Sequence, residues 1–226
     1  MNAVSEPAHI SDCTRCGTCC KKGGPCFHIE DKLLIEKGLI LSKHLYTIRK
    51  GENVYDNVRE NIQEADSDII KIKSRKSDLA CVFFDENENR CKIYENRPAE
   101  CKALKCWDTL EIEQIYYRNR LERKDITGRI EGLWELVEDH QARCDYKIIS
   151  GIAKNLNNDN MDDGAGRILE IVRYDAHIRR LAVEKGSINP GIADFLFGRP
   201  MTETIRNYIP KKLFAFYEQI GYGISV

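Results

Sequence analysis

The apolar positions in the first third of the chain predict short elements. Asp31 and Gly38 bracket an apolar run, which predicts a short helix with an acid at its start and a glycine after its end. Residues 41–48 fit either a second short helix or an extended segment, and residues 50–68 are polar with no clear period. Residues 69–73 alternate apolar and polar side chains near their end, which predicts a strand.

A hairpin and then a helix are predicted between residues 81 and 106. The stretch CVFFDENENRCKIY begins at residue 81 and predicts two short strands around a polar turn. With a register symmetric about Glu86, Cys81 and Cys91 would face each other across these strands. Pro98 suits the first position of a helix, so a helix is predicted to begin there.

The second half of the chain has the period of helices. Helices are predicted over residues 108–124, 129–155, 165–185, 189–198 and 201–219, with a polar break at 157–164. The fold class is therefore predicted as α+β: an irregular cysteine-rich core with a small β-hairpin, packed against a mainly α-helical C-terminal half. The predicted organisation is a flexible leader at 1–12, a cysteine-cluster metal-binding domain at 13–110 and a helical region at 111–226 that packs on it.

Composition excludes several classes of partner. The chain has 226 residues and a net charge of -1, which gives it no global attraction to nucleic acid or anionic membranes. No run approaches the eighteen apolar residues of a membrane span, and the start lacks the pattern of a signal peptide. We therefore expect a cytoplasmic protein that binds neither nucleic acid nor membrane, with an unknown protein or redox partner.

Cysteine is the residue type that points to chemistry. Ten are present, and nine of them lie between residues 13 and 106. The cytosol keeps thiols reduced, so a disulfide framework is not expected there. Clustered thiols under these conditions predict metal binding or redox chemistry.

The first cysteine group is Cys13, Cys16, Cys19 and Cys20. Two-residue spacing lets successive sulfurs point at one centre, as in the cysteine runs that bind [4Fe–4S] clusters and in zinc sites. Adjacent side chains point apart in extended backbone, so Cys20 would serve a second metal centre or support a ligand without binding the same ion.

The second group is Cys81, Cys91, Cys101 and Cys106. Cys101 falls in the first turn of the predicted helix, where the helix dipole stabilises a thiolate. Cys106 lies five residues further, and it reaches the same site only if the helix ends early or the metal centre is large. Eight thiolates fit two zinc ions, one iron–sulfur cluster with spare cysteines, or a cluster and a zinc. The CxxCxxC run favours a [4Fe–4S] cluster, with zinc as the alternative.

The cysteine segments resemble the YkgJ-like cysteine-cluster family, whose motif is CxxCxxCC and whose members are described as chelators of zinc or iron. The stretches that carry the resemblance are CTRCGTCCKKGGP, CVFFDENENRCKIYENRPAEC and KALKCWD. The resemblance implies metal binding through Cys13, Cys16, Cys19, Cys20, Cys81, Cys91, Cys101 and Cys106. It also implies kinship with the cysteine domain of flagellin lysine methylases, which are thought to carry an iron–sulfur cluster. Cys26 departs from the pattern and is expected to be a spare thiol.

Three functions remain open from the sequence: a redox or cluster-based iron–sulfur protein, a structural zinc protein that presents a surface to a partner, and a protein lysine methylase-like enzyme. No methyl-donor site is recognisable, and no nucleotide or hydrolase motif is present. Whether the chain is an enzyme is left open.

A few residues outside the two groups carry further signals. His28 and Asp31 can either reach the metal or cap the helix that follows, and capping is favoured. Asp175 is expected to pair with Arg179 four residues on. Cys144 is expected to act as a small apolar residue.

Overall fold

The strands pair as three separate antiparallel couples in the part of the chain that the structure describes. This structure is a computed structural model, which describes residues 13, 15–156, 160–186, 188–211, 213 and 217. The strands are β1 (Leu45–Ile48), β2 (Asn53–Asp56), β3 (Asn61–Glu64), β4 (Ile69–Ile72), β5 (Phe84–Asp85) and β6 (Arg90–Cys91). The pairs are β1 with β4, β2 with β3 and β5 with β6.

Most helices lie in the second half. They are α1 (Lys32–Glu36), α2 (Ala99–Ala103), α3 (Leu110–Ile115), α4 (Arg123–Thr127), α5 (Leu133–Arg143), α6 (Tyr146–Lys154), α7 (Met161–Glu184), α8 (Ala193–Phe197) and α9 (Met201–Thr204). Together with the small sheets they confirm the predicted α+β class. None of the described helices is both long and apolar enough to cross a membrane.

The chain that follows the first cysteine group lies along β4, on the side opposite β1. The Phe27 amide donates to the Ile70 carbonyl at 2.9 Å, and the Ile72 amide donates to the Pro25 carbonyl at 3.1 Å. β4 therefore has hydrogen-bonding neighbours on both edges: β1, paired from Ile48 with Ile69 onward, and residues 25–27. This pairing fixes the start of the cysteine-rich region to the sheet.

Gly24 makes this approach possible. A Cβ atom at Gly24 would lie 2.2 Å from the carbonyl oxygen of Ile72, which is far inside van der Waals contact. The obstacle is backbone of a central strand, so it cannot rotate away. A residue without a side chain is therefore required where the chain joins β4.

Two apolar cores lie under these elements. The first joins β1, β4 and α8 and includes Phe27, Leu45, Ile70 and Phe195. The second joins α6, α7 and α9 and is filled by residues such as Ile149, Ile168 and Met201. The buried Arg123 side chain of α4 bonds to Asp68 at 2.6 Å and to the Leu196 carbonyl at 2.7 Å, which ties β4 to α8.

The structure decides between the two predictions for residues 41–48 and adds strands to residues 50–68. The extended alternative is right for residues 41–48, where a 3-10 turn at Ser42–His44 leads into β1. The unpatterned stretch 50–68 contains the β2–β3 hairpin. Its two large apolar side chains, Tyr55 and Ile62, are exposed partners, so the strands show no alternation between a buried and a polar face.

The helix predictions are right in type but wrong in several boundaries. The predicted helix 108–124 is divided into α3 and α4. The predicted helix 129–155 is divided into α5 and α6 at Asp145, whose side chain caps α6 by accepting from the Lys147 amide at 2.8 Å. Pro98 is the residue before α2 instead of its first position.

α7 begins at Met161, inside the predicted break. In the C-terminal part, a 3-10 turn precedes α8, and α9 ends at Thr204 before another 3-10 turn. The predicted leader 1–12, the first part of the break at 157–159 and parts of the predicted helix 201–219 lie outside the described residues.

Replacing Gly24 with alanine tests the close approach to β4. The Gly24→Ala variant is expected to lose about 1–3 kcal/mol of unfolding free energy, because the added methyl group meets the Ile72 carbonyl. Gly166→Ala is the matched control. A Cβ there meets no atom within 4 Å inside α7, and alanine should gain about 0.5–1 kcal/mol. Urea denaturation of both variants measures the difference, and equal stability for the two would contradict the pairing.

Candidate metal centre

The first cysteine loop packs on the β5–β6 hairpin. Gly17 lies in this loop with φ of 74°, and a Cβ atom there would lie 2.4 Å from the ring of Phe84. The Asn89 side-chain amide, at the hairpin turn, donates to the carbonyl of Arg15 at 3.3 Å. The spacing glycine of the CxxCxxC run thus lets the loop close against an aromatic ring.

The two cysteine groups are joined through the backbone. The Cys81 amide donates to the Cys20 carbonyl at 2.8 Å. Cys81 also bridges to Ser74, just beyond β4. The second group therefore begins beside the end of the first.

The predicted hairpin register is wrong. Phe84, and not Cys81, pairs with Cys91. The chain turns between these two residues, since the Phe84 amide donates to the Cys81 carbonyl at 2.9 Å. The strand consequently starts three residues later than a symmetric hairpin about Glu86 requires.

Helix α2 presents Cys101 and ends two residues later. Its last residue is Ala103, so Cys106 follows the end of the helix in an exposed turn. The early helix end is the condition under which Cys106 was expected to reach the same site as Cys101.

Two adjoining cavities bring the predicted ligands together. The smaller, of about 80 Å³, is lined by Cys13, Cys16, Cys19, Cys20, Cys91, Cys101 and Cys106. The larger, of about 460 Å³, is lined by Cys19, Cys20, Cys81, Cys91 and Cys101, together with Cys26. Every predicted ligand lines at least one cavity, and four of them line both. We call these eight cysteines the cysteine cage.

The cage thiols are spread more widely than the ligands of a single ion. Among the described residues, only His140, Cys144 and Asp175 form a group of three or more potential ligand atoms within 4.8 Å of one another. No three thiols of the cage meet that distance. All ten cysteines are described and none is in a disulfide.

One cysteine of the cage, Cys19, is a thiolate at neutral pH. A hydrogen bond with the Cys20 thiol lowers the pKa of Cys19 to about 6, helped by the charge of Arg97. The same hydrogen bond and burial raise the pKa of Cys20, so Cys20 donates and Cys19 accepts. Burial raises the pKa of Cys81, Cys91 and Cys101 as well.

Arg97 lies at the wall shared by both cavities. Its Nε donates to the Tyr94 carbonyl at 2.8 Å, and its guanidinium lies 3.6 Å from the centre of the Tyr94 ring. Arg15 lies 4.3 Å from the centre of the same ring. The aromatic ring therefore holds two cations beside the thiols, where they favour the negative form of the cage.

A buried polar network holds α2 in place from below. One oxygen of Asp31 accepts from the His28 amide at 3.0 Å, and the other accepts from the Ala99 amide in the first turn of α2 at 2.9 Å. Glu100 accepts from the Cys26 amide at 2.6 Å. Its other oxygen lies 3.5 Å from Nε2 of His28. His28 and Asp31 thus position the helix that carries Cys101, and neither lines the two cavities.

The compact group at His140 is a network without room for another cation. His140 Nε2 bonds to Asp175 at 2.7 Å, and Asp175 also accepts from Arg179 at 2.9 Å and from the Met201 amide at 3.0 Å. Burial lowers the pKa of His140 to about 4, so the imidazole is neutral. The buried Arg49 guanidinium also contributes to that shift, and two nearby guanidiniums disfavour a metal ion.

The predicted Asp175–Arg179 pair is confirmed, and Cys144 is fully buried in the second core. His140 is fully buried, and its Nδ1 has no hydrogen-bond partner among the described residues.

Two polar residues near the cage were missed from the sequence. Glu100 is buried and links Cys26 to His28. Lys71 lies in β4 and lines the larger cavity. The available signal was a lysine inside the run Ile69-Ile70-Lys71-Ile72, because a charge among apolar strand residues needs a polar environment.

Comparison with known proteins gives one match. Residues 12–121 match the family CxxCxxCC, described as a "putative zinc- or iron-chelating domain". The matched segment contains the whole cage and excludes His140, Cys144 and Asp175. No curated protein and no solved structure matches the chain significantly.

The His28–Glu100 pair predicts a pH-dependent stability. Burial opposes both charges, yet Glu100 and the Arg118 carbonyl raise the pKa of His28, while His28 and the Cys26 amide lower the pKa of Glu100. The histidine contribution is full below its unfolded pKa and is lost as pH rises through the raised pKa. The glutamate contribution is full above its unfolded pKa and is lost as pH falls through the lowered pKa.

Glu100→Gln should therefore cost more at pH 6 than at pH 8.5. We expect a loss of about 3 kcal/mol of unfolding free energy at pH 6, where a buried imidazolium is left without its partner. The loss should shrink at pH 8.5 because the imidazole is neutral. Urea denaturation at the two pH values measures this, with Glu170→Gln on the exposed face of α7 as the control. A loss independent of pH would show that the pair is uncharged.

Proposed function

Since residues 12–121 belong to the CxxCxxCC family, we propose that the cysteine cage binds an iron–sulfur cluster, with [4Fe–4S] as the favoured type. The family match by itself supports a domain of the zinc- or iron-chelating kind. The choice of cluster is supported by the geometry of the thiols.

The single observation that supports a cluster over a zinc ion is the distance between the cage thiols. Four sulfurs bound to one tetrahedral zinc ion at 2.3 Å lie about 3.8 Å apart. No three thiols of the cage lie within 4.8 Å of one another, although they share the walls of two cavities. A cluster suits this arrangement, because each thiolate binds a different iron and the ligands stay further apart.

The electrostatics also suit a cluster. A [4Fe–4S] cluster takes up to four thiolates. Cys19, Cys91 and Cys101 line both cavities, and Cys19 is already a thiolate at neutral pH. Arg97 and Arg15 lie at the wall and offset the negative charge of a ligated cluster. The thiols left over, of which Cys20 is one, donate hydrogen bonds to ligand sulfurs or hold a second ion.

The proposed activity is electron transfer or substrate binding at the cluster in a reducing, cytoplasmic compartment, with a protein redox partner. Exposed Cys13, Cys16 and Cys106 leave the smaller cavity near the surface, where a partner can approach. Zinc remains the alternative, and a zinc-loaded cage would make the same fold a structural protein that presents a surface.

Metal analysis of anaerobically purified protein tests the proposal directly. We expect iron and acid-labile sulfide in equal amounts, with the broad visible absorption of a cluster. Zinc near one or two equivalents in a colourless protein would overturn the cluster and support the structural alternative.

Cysteine substitutions test the cage itself. Cys16→Ser should lower metal content and unfolding free energy together, because metal affinity is coupled to folding. Cys144→Ala is the control. It removes a buried thiol of the second core, so it should cost stability and leave metal content unchanged. Metal lost from Cys144→Ala and kept in Cys16→Ser would move the metal centre to the His140 group.

A further inference from the structure

The larger cavity is lined by a lysine as well as by cage cysteines. Its volume is about 460 Å³, within the range of small-molecule sites, whereas the smaller cavity has about 80 Å³. Its lining includes Cys19, Cys91 and Cys101 of the cage and also Lys71 and Tyr116. The space is therefore larger than a ligand-sulfur cage needs.

Lys71 is held at this position by the sheet. It pairs with Tyr46 of β1 on one side and bridges to Cys26 on the other. Its neighbours in sequence, Ile70 and Ile72, are buried in the first core, so strand alternation directs the lysine to the opposite face. That face carries the small apolar cluster that includes Cys26 and Ile69.

The ammonium group of Lys71 has no ion pair and no hydrogen bond to any residue that the structure describes. The nearby acid, Glu100, is engaged with the Cys26 amide and His28. Cys26 and Glu100 raise the pKa of Lys71, so it stays protonated and is unsuited to act as an amine nucleophile. A cation that faces a cavity without a partner is an anchor for an anion.

The other residues that line the cavity indicate which kind of anion it suits. Ile93, Leu104 and Ile112 give the cavity an apolar surface. Glu100 and Glu113 also line the cavity, and their negative charges disfavour an anion with more than one charge. Arg97 and Lys22 also line the cavity, but Arg97 is engaged with the Tyr94 carbonyl and ring, and Lys22 is exposed. Lys71 is the lining cation held within the sheet, and together with the apolar surface it suits a single carboxylate on an apolar body.

We propose that this cavity binds a small molecule with one carboxylate, whose charge pairs with Lys71 and whose apolar body lies along Ile93, Leu104 and Ile112 toward the cage. Contact between the apolar body of the ligand and a metal in the cage rests on the proposed function. Binding of the carboxylate itself depends only on the fold.

Equilibrium dialysis with radiolabelled hexanoate tests the site in the purified protein, with metal content measured on the same samples. Wild type should bind hexanoate saturably, and it should bind hexan-1-ol at least about tenfold more weakly because the alcohol has no charge for Lys71. Lys71→Met should lose about tenfold or more in hexanoate affinity. Lys71→Arg, which keeps the charge, should retain most of it.

Two further variants separate the site from general effects. Lys102→Met removes an exposed lysine of α2 that lies outside the cavity lining, and it should bind as wild type does. Ile112→Trp narrows the cavity without changing its charge, so it should weaken hexanoate and hexan-1-ol alike. It also tests the site if Lys71→Met fails to fold.

The proposal is overturned if wild type shows no saturable binding, if Lys71→Met binds hexanoate as tightly as wild type, or if hexan-1-ol binds equally well. It is also overturned if Ile112→Trp leaves both affinities unchanged. If protein without iron binds hexanoate, the carboxylate site stands and the iron–sulfur cluster is excluded. If the protein contains iron and sulfide but does not bind hexanoate, the cluster stands and the carboxylate site is excluded.

Discussion

The backbone pairing between residues 25–27 and β4 is the constraint on which the candidate metal centre depends. It needs Gly24, because any side chain there would meet the Ile72 carbonyl. It turns the cysteine loop back over the sheet, so that the Cys20 carbonyl receives the Cys81 amide. It also places Cys26 beside Lys71. One short stretch of extended chain therefore positions both cage cysteines and Lys71 around the larger cavity.

A second constraint acts on α2, which is too short to be stable alone. Asp31 satisfies the free amide of Ala99 at its start, and Glu100 in its first turn bonds to the Cys26 amide. The helix is therefore fixed to the same 25–31 segment that pairs with β4. Buried charges are costly unless paired, and here they hold Cys101 at a set distance from the first cysteine loop. Stability and ligand placement are coupled through the same few side chains.

The sequence was informative where chemistry is encoded by local spacing. Three features depend on residues close in the chain and could therefore be predicted: the CxxCxxC run, the helix after Pro98 and the Asp175–Arg179 pair. The β5–β6 register could not, because it depends on a turn at Cys81–Phe84 that the alternation of apolar residues does not reveal. The fully buried residue of the β2–β3 hairpin is the polar Asp56, so its strands show no apolar alternation. The roles of Lys71 and Glu100 could not be predicted, because they depend on contacts with distant parts of the chain. Glu100, for example, accepts from the amide of Cys26, which lies 74 residues away.

The cage and Lys71 have opposite electrostatic requirements, although both line the larger cavity. Thiolates need nearby cations, which Arg97 and Arg15 supply from the Tyr94 ring. Lys71 needs an anion, and Glu100, the acid that would otherwise pair with it, is engaged with His28 and the Cys26 amide. If Glu100 were free to turn toward Lys71, the two charges would neutralise each other and the cavity would lose its anchor for an anion. The network under α2 thus positions Cys101 and also keeps Lys71 unpaired.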